Sequence, residues 1–94
     1  MGEGKYYQAE KYYKDALYYY IDTYDSVGVV ITLHNMGVVN FYRGEYDVVA
    51  RYYSSSLKLA EKLKQPKFIA VNQLNLGLLY SAQNDYTKAK QYIK

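Results

Sequence analysis

Slid against itself by 40 residues, the chain matches itself at nine columns. Gly4, Gly44 and Asn84 align, as do Tyr6, Tyr46 and Tyr86, then Ala9, Val49 and Ala89. Tyr13, Tyr53 and Ile93 follow, then Ala16 with Ser56 and Leu17 with Leu57. Further along the unit, Asn35 aligns with Asn75, Met36 with Leu76 and Gly37 with Gly77. A fixed period of this size marks a stack of similar supersecondary units, none of which can bury its apolar face alone.

Each unit reads as two helices. The first covers 27–42 and again 67–82; the second covers 45–63. In the second, Tyr46, Val49, Tyr53, Ser56, Leu57, Ala60 and Leu63 step by three and four, the period of one helical face. Tyr6, Ala9, Tyr13, Ala16, Leu17 and Tyr20 repeat that stripe in the earlier copy. Ser26 is the expected N-cap of the first helix. Pro66 suits the first turn of its later copy, where a missing N–H costs nothing. Arg43-Gly44-Glu45 and Gln83-Asn84-Asp85 are tight turns with Gly or Asn available for a left-handed residue. Gly37 and Gly77 fall inside helices, where glycine costs about 1 kcal/mol relative to alanine. Their recurrence predicts a close approach by a neighbouring helix backbone, faced by Ala9, Val49 and Ala89.

Composition narrows the function classes. There is no cysteine, so disulfides, thiolate metal sites and cysteine nucleophiles are excluded; the absence fits a reducing, cytoplasmic compartment. The net charge of +3 is mild, and Glu61 interrupts the local cluster of Lys58, Lys62, Lys64 and Lys67. A nucleic-acid partner is not expected from so sparse a basic pattern. The most apolar stretch, 27–42, contains His34, Asn35 and Asn40 and is too short for a membrane span. No nucleophile elbow, phosphate loop or metal-ligand spacing is present, and no cofactor is expected. Pairs such as Asp22 and Asp25, or Glu45 and Asp47, read as terminal charges on helices.

The columns Leu33-x-x-Met36-Gly37, Gly44-x-Tyr46-x-x-Val49, Tyr53 and Leu57 resemble the tetratricopeptide repeat, and Leu76-Gly77 with Asn84-x-Tyr86-x-x-Ala89 resembles it again. The likeness covers nearly the whole chain. It implies an all-α fold, an α-α superhelix of about five antiparallel helices. Residues 1–25 would be the second helix of a partial repeat, 26–65 a complete repeat and 66–94 a repeat truncated in its second helix. Asn40 stands where an aromatic is usual, Gln73 where a large apolar residue is usual, and Ser56 where alanine is usual; these departures are expected to weaken local packing. The 40-residue period exceeds the usual period of about 34 and points to the long-helix branch. Within it, Leu59 to Pro66 followed by Leu74 to Leu78 is similar to bacterial peptide-pheromone receptors and Rap-type response-regulator phosphatases. The other branch it resembles is the long-repeat adaptors of spindle-orientation and kinesin light chain proteins. In the phosphatase family a separate N-terminal bundle engages the phosphorylated partner, so no enzyme activity is expected of these residues.

The resemblance also implies that first helices line a concave groove for a peptide or protein segment. Helical spacing puts Ile31, His34, Asn35, Val38, Phe41 and Tyr42 on that face, with Val71, Leu74, Asn75, Leu78, Ser81 and Ala82 as counterparts. A side-chain amide carries both donor and acceptor. Asn35 and Asn75 could therefore grip a peptide backbone whatever its sequence, as asparagines at this place do in the resembling families. The alternative is that they bond neighbouring helices. His34 is the lone histidine, a candidate contact to a ligand carboxylate or an ordinary packing residue. The +3 charge favours a neutral to slightly acidic partner.

The remaining signal is tyrosine, with fifteen copies and no tryptophan. In Tyr6-Tyr7, Tyr12-Tyr13, Tyr18-Tyr19-Tyr20 and Tyr52-Tyr53, adjacent side chains lie about 100° apart on a helix, so one packs and its neighbour faces a flank. An opening helix without its partner and a closing helix cut near Ile93 would leave apolar surface exposed. The chain therefore reads as a fragment or as a self-associating unit, a homo-oligomer built through its terminal helices.

Overall fold

The structure is a computed structural model that describes residues 3–92. Ile93, used in the readings above, and residues 1, 2 and 94, which fall within the ranges given there, lie outside the described residues. Five helices follow one another: α1 (Glu3–Asp22), α2 (Ser26–Arg43), α3 (Tyr46–Lys62), α4 (Pro66–Ala82) and α5 (Tyr86–Tyr92). The all-α superhelix read from the repeat is the architecture observed, and the expected bounds of α2, α3 and α4 lie within a residue of the observed ones.

What cuts the chain into helices is a left-handed residue every 20 positions. Tyr24, Gly44, Lys64 and Asn84 have φ of 57°, 79°, 56° and 62°. After each, the next amide reaches back five residues to a helical carbonyl: Asp25 to Tyr20, Glu45 to Asn40, Gln65 to Ala60 and Asp85 to Tyr80, at 2.8–3.0 Å. This is the Schellman closure, which satisfies carbonyls that the helix end would leave orphaned. Ser26 is not the N-cap of α2. Asp25 takes that place, its carboxylate accepting from the Gly28 amide at 2.9 Å, because the Schellman turn already fixes residue 25 outside the helix. Pro66 stands in the first turn of α4 as expected.

Successive helices pack as antiparallel neighbours. Among the described residues α2 also approaches α4, whereas α1 and α3, and likewise α3 and α5, stay apart. The first helices of the two units thus form the inner layer of the curve. The core lies between α3 and α4: Val49, Tyr53 and Leu57 against Leu76 and Leu79. Leu76 and Leu79 are fully buried, each contributing roughly 1.5–3 kcal/mol of transfer free energy. Beside this core Val30, Met36 and Ala60 are also closed off from solvent.

The tyrosine doublets sort as their spacing requires. Tyr6, Tyr13 and Tyr20 turn inward and are half-buried, and Tyr53 is buried; Tyr7, Tyr12, Tyr18 and Tyr19 are exposed. Two inward rings explain two glycines. A Cβ on Gly37 would come within 2.6 Å of the Tyr53 ring, and one on Gly28 within 2.5 Å of the Tyr20 ring. The close approach at Gly37 is therefore made by an aromatic face and not by a helix backbone past Ala9, Val49 or Ala89. Asn40 and Ser56 do not loosen the packing either. Both are buried and hydrogen-bonded, Asn40 Nδ2 to the Met36 carbonyl at 2.8 Å and Ser56 Oγ to the Val30 carbonyl at 2.9 Å. Among the described residues no helix is long and apolar enough to cross a membrane.

Candidate binding groove

Four asparagines stand on the inner helices, and they divide into two kinds. Asn40 and Asn72 are buried and bonded within the protein. Asn35 and Asn75 are half-buried, and among the described residues neither amide has a hydrogen-bond partner. They occupy equivalent places on α2 and α4, one repeat apart, so the inner face carries two amides open to an outside donor and acceptor.

Beneath that face a polar chain ties three helices together. The Ser56 hydroxyl donates its single proton to the Val30 carbonyl, so it accepts from Asn72 Nδ2 at 2.8 Å. That orientation turns Asn72 Oδ1 toward His34 Nδ1, 3.2 Å away, and an acceptor there requires the imidazole proton on Nδ1. His34 therefore makes a contact inside the protein, and its ring also lies 5.6 Å from that of Tyr53. Asn72 and Ser56 are both fully buried, where every polar atom needs a partner.

Farther along the groove, Val38, Phe41, Tyr42, Tyr53, Asn75 and Leu78 enclose a cavity of about 200 Å3. Phe41 and Tyr42 meet edge to face at 89°, forming a corner of the wall. Burial, with a further push from Tyr42, raises the Tyr53 hydroxyl to about 12. It stays a neutral phenol at ordinary pH. Drug-sized ligands occupy roughly 300–1,000 Å3, so this cavity is sized for one side chain and not for a cofactor.

Of the residues expected on the groove, Val38, Phe41, Tyr42, Asn75 and Leu78 meet in this cavity. His34, Asn35, Val71 and Leu74 do not line it: Val71 and Asn35 are half-buried nearby on their helices and Leu74 is exposed. Tyr53 is the lining residue that periodicity assigned to core packing alone; the recurring glycine opposite it was the available signal. Asn72 was missed because its aligned partner, Thr32, bonds locally to the Gly28 carbonyl and gives no hint of a network. A second, wider crevice of about 520 Å3 runs from α3 to α5, lined by Asp47, Arg51, Asp85 and Lys88 among others. Charges of both signs line it.

Stacked helical hairpins with an inner groove are the geometry of one known repeat class, and the family model for the tetratricopeptide repeat matches residues 1–62. The chain belongs to the tetratricopeptide repeat family. The matched residues run from α1 to the end of α3, and α4 and α5 lie beyond them. Tetratricopeptide repeats generally mediate protein–protein interactions and are typically non-enzymatic scaffolds. No curated protein and no solved structure matches the chain.

Proposed function

We propose that this tetratricopeptide domain binds an extended peptide or protein segment along the α2–α4 groove and performs no catalysis of its own. The observation that carries this reading is the pair of unpartnered amides, Asn35 and Asn75, held at equivalent places one repeat apart. Each would pair with a backbone N–H and C=O of the ligand, while Val38, Phe41, Tyr42 and Leu78 receive a side chain and Val71, Leu74 and His34 extend the contact surface. Backbone pairing gives affinity and the cavity gives selectivity, a division seen in other peptide-recognition modes. The resemblance of the 59–66 and 74–78 stretches supports a cytoplasmic bacterial peptide-sensing regulator as the setting of the domain. The test is the double variant Asn35→Ala plus Asn75→Ala, titrated with peptides selected on the wild-type chain. A loss of about tenfold or more, equivalent to 1.4 kcal/mol, is expected with helicity intact. Unchanged affinity would remove the amide ladder.

Self-association is a second reading, favoured by one surface. Tyr7, Tyr12, Tyr18 and Tyr19 of α1 are each more than 60% exposed, and Ile21 is half-exposed. Rings in that number on one helix suit burial against another chain. Sedimentation equilibrium over a wide concentration range checks it: a mass that rises with concentration supports association, and a constant monomer mass rejects it.

A further inference from the structure

The charges of the chain are segregated by helix. Inner helices α2 and α4 together carry two charged residues, Arg43 at the last position of α2 and Lys67 at the second of α4. They stand at opposite ends of the groove. Arg43 is turned to α1, where it meets Glu10 at 2.8 Å, and Lys67 lies over the Phe68 ring at 5.9 Å. Every other charged side chain of the described helices belongs to α1, α3 or α5. The groove face itself is apolar and open: Ile31, Tyr42, Leu74 and Leu78 are exposed. The +3 net charge therefore lies off the groove and says nothing about the segment held in it.

We infer that the groove selects an uncharged segment with one bulky apolar side chain, seated between Val38, Phe41, Tyr42, Tyr53 and Leu78 with the Asn75 amide pairing its backbone. This inference rests on the groove reading above and adds the chemistry of the occupant. A ligand carboxylate set there would lose water and meet no Lys or Arg. A ligand ammonium would meet three aromatic rings, which attract cations, but it would lose water and no carboxylate lines the cavity to pair with it. Tyr53 is held neutral by its burial and cannot serve as a counter-ion. An aliphatic or aromatic side chain meets none of these penalties and removes exposed apolar surface from water.

The probes are acetylated, amidated pentapeptides Ala-Ala-X-Ala-Ala with X as Leu, Phe, Asp or Lys, titrated into the full chain and followed by NMR at the methyl signals of Val38 and Leu78. Shifts at those methyls with Leu or Phe, at affinities at least about tenfold above Asp and Lys, are expected. In a folded Leu78→Lys variant, where the changed residue is half-exposed, the preference should move toward Asp. Equal or tighter binding of Asp or Lys at the same methyls would overturn the inference while leaving the groove reading in place. Tighter binding of Lys in particular would mark the rings as a cation cage. Shifts from no probe at the groove methyls would remove the groove reading, and this inference with it.

Discussion

The Tyr53 ring occupies the space that a side chain on Gly37 would need, its Cε1 lying 2.6 Å from an ideal Cβ position there. Tyr53 is only 4% exposed and also packs beside His34 and the Leu76–Leu79 core, so the ring has little room to retreat. Gly37→Ala should therefore destabilise the fold. Overpacking costs about 1–3 kcal/mol, against about 1 kcal/mol of helix propensity regained. A net loss of up to about 2 kcal/mol is expected in urea denaturation. Adding Tyr53→Leu, which vacates the clash, should return part of that loss, so the two changes should be non-additive. A stabilised Gly37→Ala protein would show that the ring yields freely.

The Val30–Ser56–Asn72–His34 chain makes a different kind of demand. Ser56→Ala removes one hydroxyl and strands Asn72 Nδ2 in a buried site, while the Val30 carbonyl keeps its bond within α2. Leaving buried polar groups unpaired costs about 1–3 kcal/mol. Ser56→Ala paired with Asn72→Leu removes both sides of the bond, and the pair should be closer to wild type than Ser56→Ala is. A double-mutant cycle by thermal or urea unfolding measures the coupling. A coupling near zero would mean that water replaces the hydroxyl.

These two cases mark where sequence was readable and where it was not. The five helices followed from the 40-residue period and the three-and-four spacing, because both are set by local geometry along one helix. Gly44 and Asn84 announced their left-handed turns by residue type. Tyr24 and Lys64 adopt the same conformation with no such signal, since there the helix packing on either side imposes the turn. Five of the twelve expected groove residues meet in one cavity, because the repeat sets equivalent faces of α2 and α4 side by side. Tyr53 and Asn72 escaped because their roles depend on contacts between helices, to Gly37 and to Ser56 and His34, that no spacing within one helix encodes.

Burial of Tyr53 also gives a pH signature. Its hydroxyl is raised from 10.0 to about 12, by desolvation first and Tyr42 second. The neutral phenol is favoured by the folded state, so between the two values the unfolded chain has lost a proton that the folded chain keeps. Stability is thus fully present below about pH 10 and falls as pH rises toward about 12. In an ultraviolet titration Tyr53 should ionise late, toward about pH 12. Tyr53→Phe should abolish that late component and flatten the alkaline fall in the unfolding midpoint. A titration in which wild type and Tyr53→Phe differ only by one ordinary tyrosine would contradict the burial argument.

The left-handed turns allow a test of what the repeat imposes on its residues. Tyr24 has φ of 57° and is 93% exposed, so its ring contributes almost no buried area to offset the conformation. An L-residue in this region is disfavoured by roughly 1–2 kcal/mol, whereas glycine enters it freely at the expense of unfolded-state entropy, about 0.4–1 kcal/mol. Tyr24→Gly should therefore stabilise the fold by roughly 0.5–1 kcal/mol. Gly44 holds the equivalent place one half-unit on, with φ of 79°, and nothing lies within 4 Å of a Cβ built there. Gly44→Ala should then be destabilising by about 1 kcal/mol through backbone strain alone, since no side-chain clash can contribute. Opposite signs at two sterically open sites of one motif isolate the backbone term from packing. Urea midpoints at constant m-value read it directly. A Tyr24→Gly protein less stable than wild type would show that the exposed ring holds the α1–α2 turn in some way other than its conformation.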